Sequence, residues 1–184
     1  TLDYQQPMIR IREATRLDRE SIRAVHLHAF PEGENRMVAT LADNLLAEET
    51  SPETFALLAE IDGAVVGHIA FSPVTVDIDE QWNGYILAPL GVKPDYQQRG
   101  IGSKLVESGT ARLSEKGVTV LFVYGDPTYY GKFGFNADTA SKYSPPYRLQ
   151  HPFGWQAMAL NEEDSPESTV KISCVASLRN PELW

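Results

Sequence analysis

The sequence of 184 residues contains one cysteine, Cys174, and a single thiol can form neither an internal disulfide nor a multi-cysteine zinc site. Long hydrophobic runs are also missing, since no stretch approaches the roughly 18–20 uninterrupted apolar residues of a membrane-spanning helix. The N-terminal stretch carries Asp3, Arg10 and Arg12 among few apolar side chains and lacks the apolar core of a secretory signal. Basic residues are outnumbered, 16 Lys and Arg against 25 Asp and Glu, for a formal charge of −9. Nucleic-acid affinity comes mainly from cationic side chains that neutralise phosphates, so this balance argues against nucleic acid and favours neutral or cationic small ligands. These absences predict a cytoplasmic protein whose partners include neither nucleic acid nor membrane. No G-x-S-x-G elbow occurs, which disfavours a serine hydrolase, and Cys174 sits too late in the chain to suggest a cysteine one. His26, His28 and His68 show no spacing with Asp or Glu that suggests a metal, so none is expected.

Apolar residues make up 42% of the chain and are spread throughout it, enough for a self-supporting core and against disorder. One domain is expected over residues 1–184, with a core at 8–160, an acidic loop at 161–169 and a C-terminal tail at 170–184. Ile9 and Ile11 alternate with Arg10 and Arg12 in the period of a half-buried strand, and a helix follows from Asp18. Ile22, Val25 and Ala29 form its stripe, Pro31 and Gly33 stop it, and Met37, Val38, Leu41 and Leu45 mark a second amphipathic helix. Residues 55–61 and 64–71 are apolar runs joined by Asp62-Gly63, a dipeptide suited to a tight hairpin.

Residues 84–92 read as a central strand covered on both faces, interrupted by Pro89. Proline cannot donate a ladder hydrogen bond, so a bulge or a parting of strands is expected there. Residues 100–116 form a crossover helix with Leu105, Val106, Gly109 and Leu113 on one side, and residues 118–124 a strand parallel to the previous one. A helical turn from Pro127, a strand near residues 155–160 and a strand and tail over 170–184 follow.

Gln97-Gln98-Arg99-Gly100-Ile101-Gly102 lies where the central strand gives way to the crossover helix. Unpaired amides and the positive end of the helix dipole make such a junction an anion cradle, and glycine lets a diphosphate approach the backbone. Lys93, Arg99 and Lys104 are close enough in sequence to add charge. Taken alone, two glycines are equally the mark of a tight turn. A Rossmann site would need glycine where Leu105 stands, and the phosphate-loop lysine motif is absent.

The spacing Gln97, Gly100, Gly102 resembles the signature of the GNAT superfamily of N-acetyltransferases, and the order of elements resembles that family over residues 8–160. Ala88-Pro89-Leu90-Gly91-Val92 is similar to its central strand, and Tyr129-Tyr130-Gly131-Lys132-Phe133-Gly134-Phe135 to the aromatic segment after its next strand. The resemblance implies an α/β fold of the acyl-CoA N-acyltransferase type, a mixed central sheet with helices on both faces. It also implies acetyl-CoA as cosubstrate, with its pantetheine along Leu90, Gly91 and Val92 and its pyrophosphate at Gln97, Gln98, Arg99, Gly100, Ile101, Gly102 and Ser103. Tyr130 becomes the general acid at the sulfur and a cofactor contact, and the Leu90 N–H a donor to the thioester carbonyl. An offset of one would give Tyr129 that place, and core packing is the alternative role for one of the two. The acceptor is expected to be a small-molecule or peptide amine, which Glu32 and Glu34 could attract. No general base is assigned; His68 could face the site, but an isolated strand histidine is more often simply packed or solvated. A homodimer is compatible with the reading, and the competing one is a non-catalytic sensor that binds CoA.

Overall fold

In the first strand, β1 (Ile9–Glu13), Ile9 and Ile11 point toward the core while Arg10 stays exposed. The computed structural model describes residues 8–161 and 166–184. The expectations for the extreme N-terminus, residues 1–7, and for residues 162–165 of the acidic loop therefore lie outside the described residues. A 3-10 turn leads into α1 (Arg19–Ala29), which buries Ile22, Val25 and His26 and ends at extended Phe30, before Pro31. In α2 (Asn35–Ala47), Val38, Leu41 and Leu45 are buried at helical spacing.

The hairpin forms as the dipeptide predicts: β2 (Phe55–Ile61) and β3 (Ala64–Val76) pair antiparallel around Asp62 at φ 50° and Gly63 at φ 80°. Both turn residues need positive φ, which Asp tolerates and Gly adopts freely. Next come β4 (Gly84–Val92), α3 (Ile101–Glu115) and β5 (Val120–Tyr124), with β4 and β5 parallel across the α3 crossover. The chain then forms α4 (Pro127–Tyr130), α5 (Ala137–Ala140), β6 (Tyr143–Ser144), β7 (Trp155–Ala159) and β8 (Val170–Cys174).

The sheet order is β1-β2-β3-β4-β5-β7, with β8 on the far part of β3 and β6 on β8. Adjacent β3 residues show how this mixed sheet is covered on both faces. Ile69 and Phe71 pack with Ile101, Leu105 and Leu113 of α3, whereas Ala70 and Val74 pack with Leu41 and Leu45 of α2. Residues 176–184 return as two 3-10 turns beneath α2 and end in Trp184, 3% exposed, whose indole N–H donates to the Leu178 carbonyl at 3.0 Å. Three features differ from expectation: β3 runs past residue 71 to Val76, and neither α5 nor β6 was anticipated.

Candidate active site

Four residues of β4 pair with β5, from Gly84 opposite Val120 to Leu87 opposite Val123, and the pairing stops just before Ala88-Pro89. On the other edge the register steps from Leu87 opposite Phe71 to Leu90 opposite Ile69, so β4 carries one extra residue, a bulge at Ala88-Pro89. Beyond it β4 stays with β3, whereas β5 continues along β7 to Tyr124 opposite Trp155. A wedge opens between the two parallel strands, so Pro89 marks both outcomes the sequence allowed.

At the open end of the wedge, left-handed Gln98 (φ 63°) and Gly100 (φ 77°) turn the chain into α3. The Gln97 side-chain amide donates to the Val92 carbonyl at 3.0 Å and ties this turn to β4. The first helical hydrogen bond runs from the Lys104 N–H to the Gly100 carbonyl at 3.0 Å. The amides of Ile101, Gly102 and Ser103 precede it, so they have no acceptor within the helix and lie at its positive end. They border a hollow of about 430 Å³ walled also by Leu90, Gly91, Val92, Gln97, Gln98 and Gly100.

Tyr96, Tyr129 and Lys132 complete that wall. The sequence reading did not single out Lys132, whose ammonium lies 4.5 Å over the Tyr129 ring. Arg99, Lys93 and Lys104, which were expected to supply charge, do not line the hollow. Arg99 folds back instead, donating to the Asp95 carbonyl at 3.1 Å with its guanidinium 5.2 Å over the Tyr96 ring. A side chain at Gly102 would collide with the Tyr129 hydroxyl, so glycine there makes room for the phenol at the rim.

Tyr130 faces the other way. Asp126 caps α4 by accepting from the Thr128 N–H at 2.9 Å, and Pro127 opens the helix, which presents the two tyrosines in different directions. The Tyr130 ring packs over Gly125, where a Cβ would sit 2.6 Å from Cε2, and meets the Tyr129 ring edge-on at 5.0 Å. Burial above all, with Tyr129 and Asp126 adding to it, pushes the Tyr130 phenol well above its usual pKa. It lines a second cavity of about 320 Å³ with β4 around Pro89, the end of β5, α2 and the tail. Leu90 lines both spaces, so the hollow and the cavity share a wall where the strands part.

Glu34 borders this cavity and Glu32 does not. His68 is 1% exposed, and its Nδ1 lies 2.7 Å from His26 Nε2 behind Gly91, so of its two readings the packed one holds and the site-facing one does not. Burial lowers both imidazoles, His26 to about 4, and neither borders the hollow or the cavity. Burial likewise pushes the Cys174 thiol up to about 12, which keeps it from acting as a thiolate nucleophile. Among the described residues, no three His, Cys, Asp or Glu side chains gather as a metal site would require, and no helix is long and apolar enough to cross a membrane.

Residues 19–135 match the acetyltransferase (GNAT) family. The chain is 34% identical over 151 residues to the uncharacterized N-acetyltransferase YjhQ of Escherichia coli strain K12, covering 79% of this chain and 81% of that protein. Its structure is similar to the GNAT family N-acetyltransferase YhbS of Escherichia coli, solved in complex with CoA: TM-score 0.77 and 25% identity, over 96% of this chain and 94% of that one. It is also similar to a GNAT family acetyltransferase from Brucella melitensis solved in complex with acetyl-CoA: TM-score 0.68 and 29% identity, over 94% and 99% of the two chains.

Proposed function

The chain belongs to the GNAT acetyltransferase family, and on that premise we propose that it transfers an acetyl group from acetyl-CoA to a primary amine by direct attack, without a covalent acyl-enzyme. The observation that carries this reading is that an amide-lined hollow at the head of α3 and a cavity holding Tyr130 lie side by side with Leu90 as their common wall. The hollow suits a diphosphate: three amides without helical acceptors, glycine at 100 and 102, and Lys132 on its wall. The two CoA-bound relatives support the same ligand for this chain.

Acetyl-CoA supplies an activated acyl group on a thiol leaving group. The amides of Ile101, Gly102 and Ser103 hold its pyrophosphate, and the edge of β4 released by β5 offers backbone groups to its pantetheine. The Leu90 N–H donates to the carbonyl oxygen as negative charge grows there. Tyr130 donates to the sulfur. A phenol above its reference pKa of about 10 remains protonated, and complete transfer to a thiolate of pKa about 8.5 runs uphill, so its part is a hydrogen bond that steadies the departing sulfur. Orientation supplies much of the remainder. Residues 1–184 are read as one catalytic domain of the cytoplasm.

The test joins calorimetry with a thiol-release assay. CoA should bind saturably, and acetyl-CoA should release thiol only when a primary amine is present. Saturable binding without release across small-molecule and peptide amines would select the sensor reading, and absence of binding at millimolar CoA would overturn both.

A further inference from the structure

Resting on the acetyl-transfer reading, we infer that the acceptor is a primary amine carried on an apolar body, an alkyl or aralkyl amine, rather than a polyamine or a free amino acid. The cavity beside Tyr130 is where the acceptor must approach, because it opens on the α1–α2 side of the wedge while the hollow lies at α3. Its far walls are Phe30, Met37, Leu41, Leu183 and Trp184, all apolar or aromatic. Glu34 is its one charged wall residue; it stands exposed at the head of α2, makes no side-chain cap bond there, and has no ion pair among the described residues.

One carboxylate at the lip matches one ammonium on its way in. A second ammonium, or the carboxylate of an amino acid, would lie against the apolar far walls with no charged partner, and burying an unpaired charge is strongly unfavourable. Charge complementarity also decides between the amine and a lengthened acyl chain as the occupant, since an acyl chain has nothing to offer Glu34. The volume of about 320 Å³ corresponds to roughly ten waters at about 30 Å³ each, room for a ring with a short arm.

The experiment measures kcat/KM at saturating acetyl-CoA for linear amines from ethylamine to hexylamine, with phenethylamine, 1,4-diaminobutane and glycine alongside. A fully buried methylene is worth about fourfold, so the linear series should climb by about two- to fourfold per carbon, and phenethylamine should exceed ethylamine. E34Q should raise the amine KM by up to about fivefold, the size expected of an exposed ion pair, and leave the acetyl-CoA KM unchanged. L183Q, at a half-buried wall position, should flatten the series while CoA affinity stays constant. A flat series, a preference for the diamine, activity that climbs with the acyl length of the thioester instead, or thiol release with peptide amines but with none of this series would overturn the inference. Failure of the underlying reading is distinguishable from all of these, because it abolishes thiol release with every amine, peptides included, whether or not CoA still saturates.

Discussion

Tyr129 and Tyr130 are adjacent in sequence yet serve opposite sides of one opening: the first rims the hollow beside Gly102, the second packs on Gly125 within the cavity. If Tyr130 steadies the departing sulfur by a hydrogen bond, Tyr130→Phe should lower kcat about 10- to 100-fold, below the roughly 100- to 10,000-fold of full acid–base groups, with CoA affinity nearly unchanged. Tyr129→Phe should act mainly on the KM for acetyl-CoA. Steady-state thiol release for both variants checks the division, and equal effects on kcat would contradict it. The sequence favoured Tyr130 over Tyr129 only through the resemblance, because neighbours on a helical turn differ by about 100° in direction and the glycines they pack against are not legible from local pattern. Lys132 carried a faint signal, a cation three residues beyond Tyr129 and thus on its side of the turn, whereas Arg99 carried the stronger sequence argument and spends its charge on Asp95 and Tyr96.

At the scale of elements, α3 seats against β3 because Gly109 leaves room for the Phe71 ring, and any Cβ at 109 would overlap it. Gly109→Ala should therefore destabilise the fold by about 1–3 kcal/mol through overpacking, even after a helix-propensity gain of up to about 1 kcal/mol. Chemical denaturation measures this, and a variant more stable than the parent would refute it. The long periodic helices, the hairpin and the βαβ unit were legible because each is specified by a local pattern. The far half of β3 was not, because Ser72-Pro73 reads as a strand end. In the fold these two residues stay paired with β4, Ser72 opposite Ile86 and Pro73 opposite Tyr85, while on the other edge they fall between the last β2 pair, at Phe71, and the first β8 pair, at Val74. Short β6 and α5 depend on partners further along the chain, with β6 held by β8 and the start of α5 tied to β7 by the Asn136 N–H donating to the Ala157 carbonyl at 2.9 Å.

The whole molecule is acidic, and its stability should depend on pH through a few buried groups. His26 and His68 stay neutral in the fold, whereas in the unfolded chain they titrate near 6.5. Below that pH the unfolded state binds more protons, so stability should fall as pH drops from about 6.5 toward 4, by roughly 3 kcal/mol for His26 alone. Asp18 contributes separately: hydrogen bonds from Arg12 hold it at about 2, so its stabilisation is complete above the unfolded value of about 3.9 and disappears as pH falls toward 2. Urea midpoints measured from pH 7 to 3 should therefore decline in two stages. A flat profile between pH 7 and 5 would mean that the imidazoles are not neutral and buried together.

Four rungs join β4 to β5, preceded by the Thr119 N–H donating to the Asn83 carbonyl at 3.0 Å, and they end just before Ala88-Pro89. If acetyl-CoA lies in the gap below them as proposed, it would act as a splint as well as a reactant, bridging two blades of sheet that the polypeptide leaves apart. Part of the rigidity of the working enzyme would then come and go with the compound it consumes.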